Sequence, residues 1–242
     1  MPYRQQNFSN GEIYHVTLKR IGDDLLFKDE NDSYRGIFSI YEFNTSDLVT
    51  IRERRKARAR IKQGTSSDRV ADVLDKRNLL VEILSFCFMP NHIHLLLKQI
   101  QDGGISKFMQ KFGAGYACYF KRKHGLSKRG HFFQDRFVAV PVKDDDQLKT
   151  VFVYIHTNPL SLVEANWKER GIKNQEKAIE FLKSYKWSSY PDYIGRNNFS
   201  SVTKREFLSE VIGGIRGCKD FVENWVRYKG GINEFVDLAL ED

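Results

Sequence analysis

The sequence lacks any long apolar run, and this absence excludes one class of protein. No stretch approaches the roughly 18 consecutive apolar residues that a membrane-spanning helix needs, so we expect no membrane partner. The N-terminal stretch MPYRQQNFSNGE also lacks the apolar segment found in secretory signals. We therefore expect a cytoplasmic protein.

Cysteine is scarce as well. The chain has only Cys87, Cys118 and Cys218, which is an odd number, and they do not have the spacing of metal ligands. We interpret them as reduced, small hydrophobic residues of a cytosolic protein. They give no information about catalysis.

Acidic residues are too few to balance the basic ones, and the imbalance is uneven along the chain. There are 39 Lys and Arg against 31 Asp and Glu, and from residue 164 onward each sign occurs 13 times. The whole basic surplus therefore lies in residues 1–163. This pattern favours a polyanion-binding domain over residues 1–163 and a helical extension over residues 164–242. A solvated basic surface without a ligand explains so modest a surplus about equally well.

The densest basic segment is RERRKARARIK at residues 52–62, with seven basic residues and one acidic residue. Because it has no apolar stripe, we interpret it as a phosphate-facing helix or a flexible arm, with a solvated surface as the alternative. Further basic residues interleave with aromatic ones up to residue 137, a mixture suited to phosphates and unpaired bases. The predicted DNA-binding residues are Arg54, Arg55, Arg58, Lys107, Lys111, Lys121, Arg122, Lys123, Lys128, Arg129 and Arg136.

Hydrophobic periodicity predicts the elements that would carry a site. Residues 12–21 and 92–98 alternate as strands do, and the apolar run 79–88 indicates a buried strand. An aromatic and β-branched run at 37–43 predicts another strand. The acidic start at Asp144–Asp146 and the stop at Asn158-Pro159 predict a helix between them. The remaining predicted elements are a helix with an apolar face at 105–120, a strand at 132–142, and C-terminal helices at 175–185, 203–212 and 218–228.

The stretch MPNHIHLLL at residues 89–97 carries the strongest chemical signal. His92 and His94 are two residues apart on a predicted strand, so both side chains project from one face. Two neutral imidazoles side by side form half of a metal site. The ordinary alternative is one buried structural histidine and one surface histidine, and further ligands must decide between the two.

A divalent ion on His92 and His94 needs another donor. A helix packed across the sheet would bring Asn158 to the ion, and Tyr154, one helical turn earlier, would then lie beside it. Two imidazoles, a carboxamide and a phenol suit a site in which a tyrosine attacks a polarised phosphate.

Four stretches carry a resemblance to a known family. They are YHV at 14–16, CFMPNHIHLLL at 87–97, GHFFQDRF at 130–137 and YIHTNP at 154–159. In these stretches and in their order, the chain resembles the bacterial HUH single-tyrosine transposases of the IS200-like group, especially their REP-associated branch. The resemblance extends over residues 12–163.

The resemblance implies an α/β (α+β) fold, with a ferredoxin-like antiparallel sheet and packed helices. It implies that His92 and His94 are metal ligands on a central strand, and that Tyr154 is the nucleophile. It implies Asn158 as the third ligand, where some relatives have glutamine. The implied metal is Mg²⁺ or Mn²⁺.

The implied activity is cleavage and rejoining of single-stranded DNA that bears hairpins or palindromic repeats. Tyr154 would form a 5′-phosphotyrosine and release a 3′-hydroxyl, in a monomer or homodimer associated with the bacterial nucleoid. One alternative is a non-catalytic or domesticated protein that binds single-stranded or hairpin DNA. Another is a metal-dependent hydrolase that uses water.

Overall fold

The structure is a computed structural model that describes residues 7–64, 77–127, 129–134 and 136–228. Its strands are β1 (Ile13–Lys19), β2 (Val81–Phe88), β3 (His92–Gln99) and β4 (Val138–Val142). Its helices are α1 (Glu30–Glu42), α2 (Ile51–Lys62), α3 (Gly104–Lys123), α4 (Asp145–Thr157), α5 (Trp167–Arg170), α6 (Gln175–Ser184), α7 (Tyr190–Tyr193), α8 (Glu206–Ile212) and α9 (Gly214–Tyr228). None of these helices is long and apolar enough to cross a membrane.

The four strands form one sheet in the order β2-β3-β1-β4. Strand β1 pairs antiparallel with β3 on one side and with β4 on the other. This order, with helices inserted after β1 and after β3, is that of a ferredoxin-like fold. The predicted fold class is therefore confirmed, and the strand that carries both histidines is central.

The chain divides into two compact units. The helical unit contains α1, α2 and α3, within Asp29–Glu82 and Gln99–Gly130, together with the N-terminal piece that ends at Gly11. The sheet unit contains β1, β4, most of β2 and β3, and the helices from α4 onward. His92, His94, Tyr154 and Asn158 all belong to the sheet unit.

Helix α4 begins and ends where its sequence predicts. The Asp144 carboxylate accepts a hydrogen bond from the Gln147 amide at 2.7 Å and thereby caps the first turn. At the other end, Asn158-Pro159 converts the helix into a 3-10 turn over Asn158–Leu162. Both limits fix the position of Tyr154, in the last turn of the helix.

The apolar face of α4 shares its core with the C-terminal helices. Val151, Phe152 and Ile155 are buried in a cluster to which α6, α8 and α9 also contribute. The C-terminal members include Ile179, Leu182, Leu208, Cys218, Val222 and Val226. The domain boundary after residue 163 remains a prediction, although residues on both sides of it pack into one core.

The C-terminal segment also hydrogen bonds to the outer edge of β2. The Phe88 amide donates to the Trp187 carbonyl at 2.8 Å, and the Ser189 amide donates to the Phe86 carbonyl at 3.0 Å. The Ser189 hydroxyl lies 2.9 Å from Nε2 of His156 on α4. Residues 187–189 therefore pair with the outer edge of β2 and connect that edge to helix α4.

His156 makes folding sensitive to acid. Burial lowers the pKa of this imidazole to about 3, whereas its ordinary value is 6.5. Because the unfolded chain then binds the proton more tightly, stability is lost as pH falls below 6.5, by about 2 kcal/mol at pH 5. Urea unfolding at pH 7 and pH 5 should show this loss of stability. The His156→Gln variant should no longer show the loss. The control His131→Gln, at an exposed position, should show it as wild type does. Equal pH dependence in all three proteins would contradict this assignment.

One predicted strand is wrong. Residues 37–43 lie mostly in α1, because the Asp29 carboxylate caps that helix by accepting from the Asp32 amide at 2.9 Å. Ile37 and Ile40 are buried, which is the spacing of a helical face. The β-branched composition of the segment is thus overridden by an upstream helix start.

The other predicted elements agree with the structure at most positions. Residues 12–21 and 79–88 contain β1 and β2, and residues 92–98 form all of β3 except Gln99. The apolar stripe of the 105–120 helix is buried in α3. Among the described residues of the predicted strand 132–142, the regular part is β4, and Phe133 makes an isolated bridge to Arg20.

Candidate metal and tyrosine centre

The two histidines of β3 converge. Their Nε2 atoms lie 2.9 Å apart, and the planes of the two rings are nearly perpendicular at 85°. His94 is fully buried, whereas His92 is partly exposed. The pair therefore presents two imidazole nitrogens toward one point, one from the interior and one from the surface.

The opposite nitrogens of both rings have partners. His92 Nδ1 lies 2.6 Å from the Asn91 side-chain oxygen, which can only accept, so His92 carries its proton on Nδ1. His94 Nδ1 lies 3.0 Å from Nε2 of His15 and 3.4 Å from the Thr17 hydroxyl. Pairing of Thr17 with His94 in the β1–β3 register brings His15 to this face. These contacts orient both Nε2 atoms.

The environment keeps His94 neutral. Burial, and then the neighbouring His92, His15 and Lys168, lower the pKa of His94 well below its ordinary value of 6.5. A neutral imidazole retains the lone pair that a metal requires.

Tyr154 lies beside this pair. Its ring centroid is 5.6 Å from that of His94, edge to face, and 5.7 Å from that of His15. The Lys168 ammonium lies 4.9 Å from the centroid of the same phenol ring. The sheet and helix α4 thus place the predicted nucleophile against a predicted ligand.

Asn158 follows Tyr154 by four residues and is buried. Its side-chain nitrogen donates to the Tyr154 carbonyl at 3.1 Å. Since the amide NH₂ is used within the turn, the side-chain oxygen is the atom that remains chemically suited to a cation. Its role as the third ligand remains a prediction.

The residues present fit a divalent ion at the histidine pair. Asn91 fixes the His92 tautomer with a lone pair on Nε2. In the tautomer in which His94 donates its Nδ1 proton to His15, the Nε2 atom of His94 also carries a lone pair. Two lone pairs 2.9 Å apart repel each other unless a proton or a cation lies between them. A bound cation relieves that repulsion.

The chain matches a family model over residues 48–158, and the family is described as IS200-like transposase. The matched range includes His92, His94, Tyr154 and Asn158. Residues 48–158 are therefore similar to the IS200-like transposases.

Two further comparisons accompany this family match. The chain is similar to a solved structure described as a REP-associated tyrosine transposase bound to a REP hairpin, with 13% identity and a TM-score of 0.44. The similarity covers 81% of this chain and 86% of the other. A search of curated proteins gave no match.

Some of the basic residues predicted to bind DNA have structural partners within the helical unit. Arg54 and Arg58 both pair with Glu42, which is fully buried. The Lys111 ammonium donates to the backbone carbonyls of Thr45 and Asp47 at 2.5 and 2.6 Å. Such contacts hold the cations in place and compete with phosphate for them.

Lys121 and Lys123 have partners in the same unit. The Lys121 ammonium donates to the Gly130 carbonyl at 2.7 Å, and Lys123 lies 2.7 Å from carboxylate oxygens of both Asp29 and Asp32. Arg55, Lys107, Arg122, Arg129 and Arg136 are exposed, as is Lys123. Lys128 lies outside the described residues. DNA binding by any of these residues remains a prediction.

A second group of potential ligands lies in the helical unit. Asp29, Asp32 and His124 have ligand atoms within 4.8 Å of one another. The Lys123 ammonium reaches both carboxylates and, through its hydrogen bond, lowers the pKa of Asp29. Because a cationic side chain already neutralises this group, we interpret it as an ion-pair cluster.

Three residues of the centre were missed by sequence reasoning. His15 had a signal, since it stands in the quoted YHV stretch and alternates onto one face with Thr17. Asn91 directly precedes the pair, but nothing in its position indicated that its oxygen would accept from His92. Lys168 follows the YIHTNP stretch at 154–159, and no sequence pattern indicated that its side chain would lie beside Tyr154.

We expect His15→Leu to weaken divalent-metal binding by about 10- to 100-fold, because His94 loses the partner that orients its ring. His15→Gln should retain most of the affinity, since the glutamine oxygen can accept from His94 Nδ1. Calorimetric titration with Mn²⁺ measures the effect, and His131→Gln serves as the exposed control. Equal affinities for wild type and His15→Leu would contradict this role.

Proposed function

We propose that this protein is a metal-dependent endonuclease and strand transferase that acts on single-stranded DNA through a phosphotyrosine intermediate. The observation that carries the proposal is the packing of Tyr154 against His94, whose Nε2 atom converges with that of His92. Binding of DNA alone does not require a phenol beside two oriented, neutral imidazoles. Attack on a phosphate by a tyrosine does require this arrangement.

The chemistry exchanges one phosphodiester bond for another. The Tyr154 oxygen attacks the scissile phosphorus and forms an O–P bond, while the bond from phosphorus to the 3′ oxygen breaks. The 3′ oxygen leaves as a hydroxyl, and the phenol gives up its proton, so atoms and charge balance. Because the phosphotyrosine conserves the bond energy, a second 3′-hydroxyl can attack it and rejoin a strand without a nucleotide cofactor.

His92 and His94 would hold Mg²⁺ or Mn²⁺, with Asn158 as the third ligand. The ion, when bound, supplies positive charge that polarises the phosphate and stabilises its developing negative charge. The chain contributes orientation: Asn91 and His15 fix the imidazoles. Because imidazole is a softer donor than Mg²⁺ prefers, both ions belong in any assay.

The proposed partner is single-stranded DNA with hairpins or palindromic repeats. Arg55, Lys107, Arg122, Arg129 and Arg136 are exposed and suit contacts with phosphates. We further propose that the protein acts in the bacterial cytoplasm, near the nucleoid, as a monomer or homodimer. We also propose that it belongs to the REP-associated branch.

The test uses single-stranded oligonucleotides taken from palindromic repeats that flank the gene. With Mg²⁺ or Mn²⁺, wild-type protein should cut one strand and become covalently attached to its 5′ end. Salt-sensitive binding without cleavage would favour a non-catalytic DNA-binding protein. Cleavage without attachment would favour a hydrolase that uses water.

A further inference from the structure

Lys168 lies at the tyrosine centre although it follows the matched transposase region. Its ammonium is 4.9 Å from the centroid of the Tyr154 ring. The same phenol ring lies 5.6 Å from the ring of His94, edge to face. One cation therefore lies beside the predicted nucleophile, which itself packs against a predicted metal ligand.

The backbone around Lys168 is well held. Trp167 is buried, and its ring lies 5.2 Å from that of Trp225 on α9, edge to face. The Glu164 amide donates to the Leu160 carbonyl at 2.8 Å, and the Gly171 amide donates to the Trp167 carbonyl at 3.0 Å. These contacts fold the segment after the 3-10 turn back toward α4. The buried Trp167 thus anchors a side chain that is itself only half-buried.

We propose that Lys168 is a phosphate-contacting residue, whose ammonium binds a non-bridging oxygen of the phosphate that Tyr154 attacks. This inference rests on the proposed function, and it adds a residue from the C-terminal extension to the centre. Its ligand is a phosphodiester of single-stranded DNA.

The signs of the charges favour an anion at this place. A cation held beside Tyr154 would repel a metal ion on the neighbouring histidine pair. A phosphate group lying between the ammonium and the ion is attracted by both, so its arrival turns a repulsive arrangement into an attractive one. Lysine suits this task because its ammonium acts as a point charge for phosphate.

The first experiment measures binding alone and does not require strand cleavage. In the Tyr154→Phe background, binding of a single-stranded oligonucleotide is measured as a function of salt, with and without Lys168→Met. Loss of one phosphate contact should lower the slope of log affinity against log salt by about 0.7 and weaken binding about tenfold. Lys173→Met, an exposed lysine of the same segment, should leave slope and affinity unchanged, and Lys168→Arg should retain both.

The second experiment measures the rate of covalent attachment in a single turnover. Lys168→Met should slow attachment about 100-fold on a natural strand, because one charged contact to the reacting phosphate is lost. A methylphosphonate at the scissile position replaces one non-bridging oxygen by a methyl group. On the diastereomer that lacks the contacted oxygen, Lys168→Met should cost less than about threefold.

The outcomes separate this inference from the proposed function. An unchanged salt slope, or an equal slowing on the natural strand and on both methylphosphonate diastereomers, overturns the role of Lys168. If wild-type protein forms no adduct while Lys168→Met still lowers the slope, the phosphate contact stands and the proposed function fails.

Discussion

Tyr154→Phe should abolish covalent attachment of the protein to DNA and lower strand cleavage by about 10,000-fold or more. The substitution removes one hydroxyl and keeps the ring that packs against His94 and His15. It therefore removes the predicted nucleophilic oxygen with little change in packing. A labelled single-stranded oligonucleotide, separated on a denaturing gel, measures both cleavage and attachment.

The matched control is Tyr185→Phe. Tyr185 is another tyrosine of the sheet unit, and its hydroxyl donates to the Phe88 carbonyl at 2.7 Å. Loss of this hydrogen bond should lower the free energy of unfolding by about 1 kcal/mol and leave covalent attachment to DNA intact. Tyr154→Phe should still bind the strand, since the substitution leaves the basic residues and the aromatic ring in place. Cleavage at the wild-type rate by Tyr154→Phe would exclude the phosphotyrosine mechanism.

His92→Ala and His94→Ala should each remove measurable divalent-metal binding and slow attachment by about 1,000-fold. This figure corresponds to about 4 kcal/mol of lost transition-state stabilisation, the size expected when charge on the phosphate is no longer neutralised. The convergence of the two Nε2 atoms at 2.9 Å is the reason that neither imidazole should suffice alone.

The two variants differ in their structural risk. His94 is fully buried, so its truncation also costs stability, whereas His92 is partly exposed. His92→Ala is therefore the cleaner test, with urea unfolding as the check on folding. Treatment of wild type with a chelator should reproduce its effect, and added Mn²⁺ should restore wild type but not the variant. Normal attachment by His92→Ala in the presence of metal would remove the histidine pair from the mechanism.

Much of the centre could be predicted because its elements have strong local signals. Strand β3 alternates strictly, so the sequence alone places His92 and His94 on one face. Helix α4 has an acidic cap and a proline stop, which together place Tyr154 in the last turn. The approach of that turn to the strand was implied by the family resemblance rather than by any local pattern.

The parts that could not be predicted depend on contacts distant in sequence. His15 reaches His94 only because β1 pairs with β3 in one register, and a single strand does not reveal its register. Lys168 returns to Tyr154 because Trp167 is buried beside Trp225, which lies on a distant helix. The strand predicted at 37–43 was wrong because Asp29, upstream of it, caps a helix that overrides the local β propensity.

Peptide mapping of the covalent product tests the central claim most directly. Wild-type protein is incubated with labelled single-stranded DNA and divalent metal, denatured, and digested with nuclease and trypsin. The tryptic fragment 150–168 contains one tyrosine, Tyr154, so a phosphonucleotide mass on this fragment identifies the linkage. We predict that the label is found there and is absent from Tyr154→Phe. Label on a different residue, or strand cleavage without any covalently labelled protein, would contradict the account.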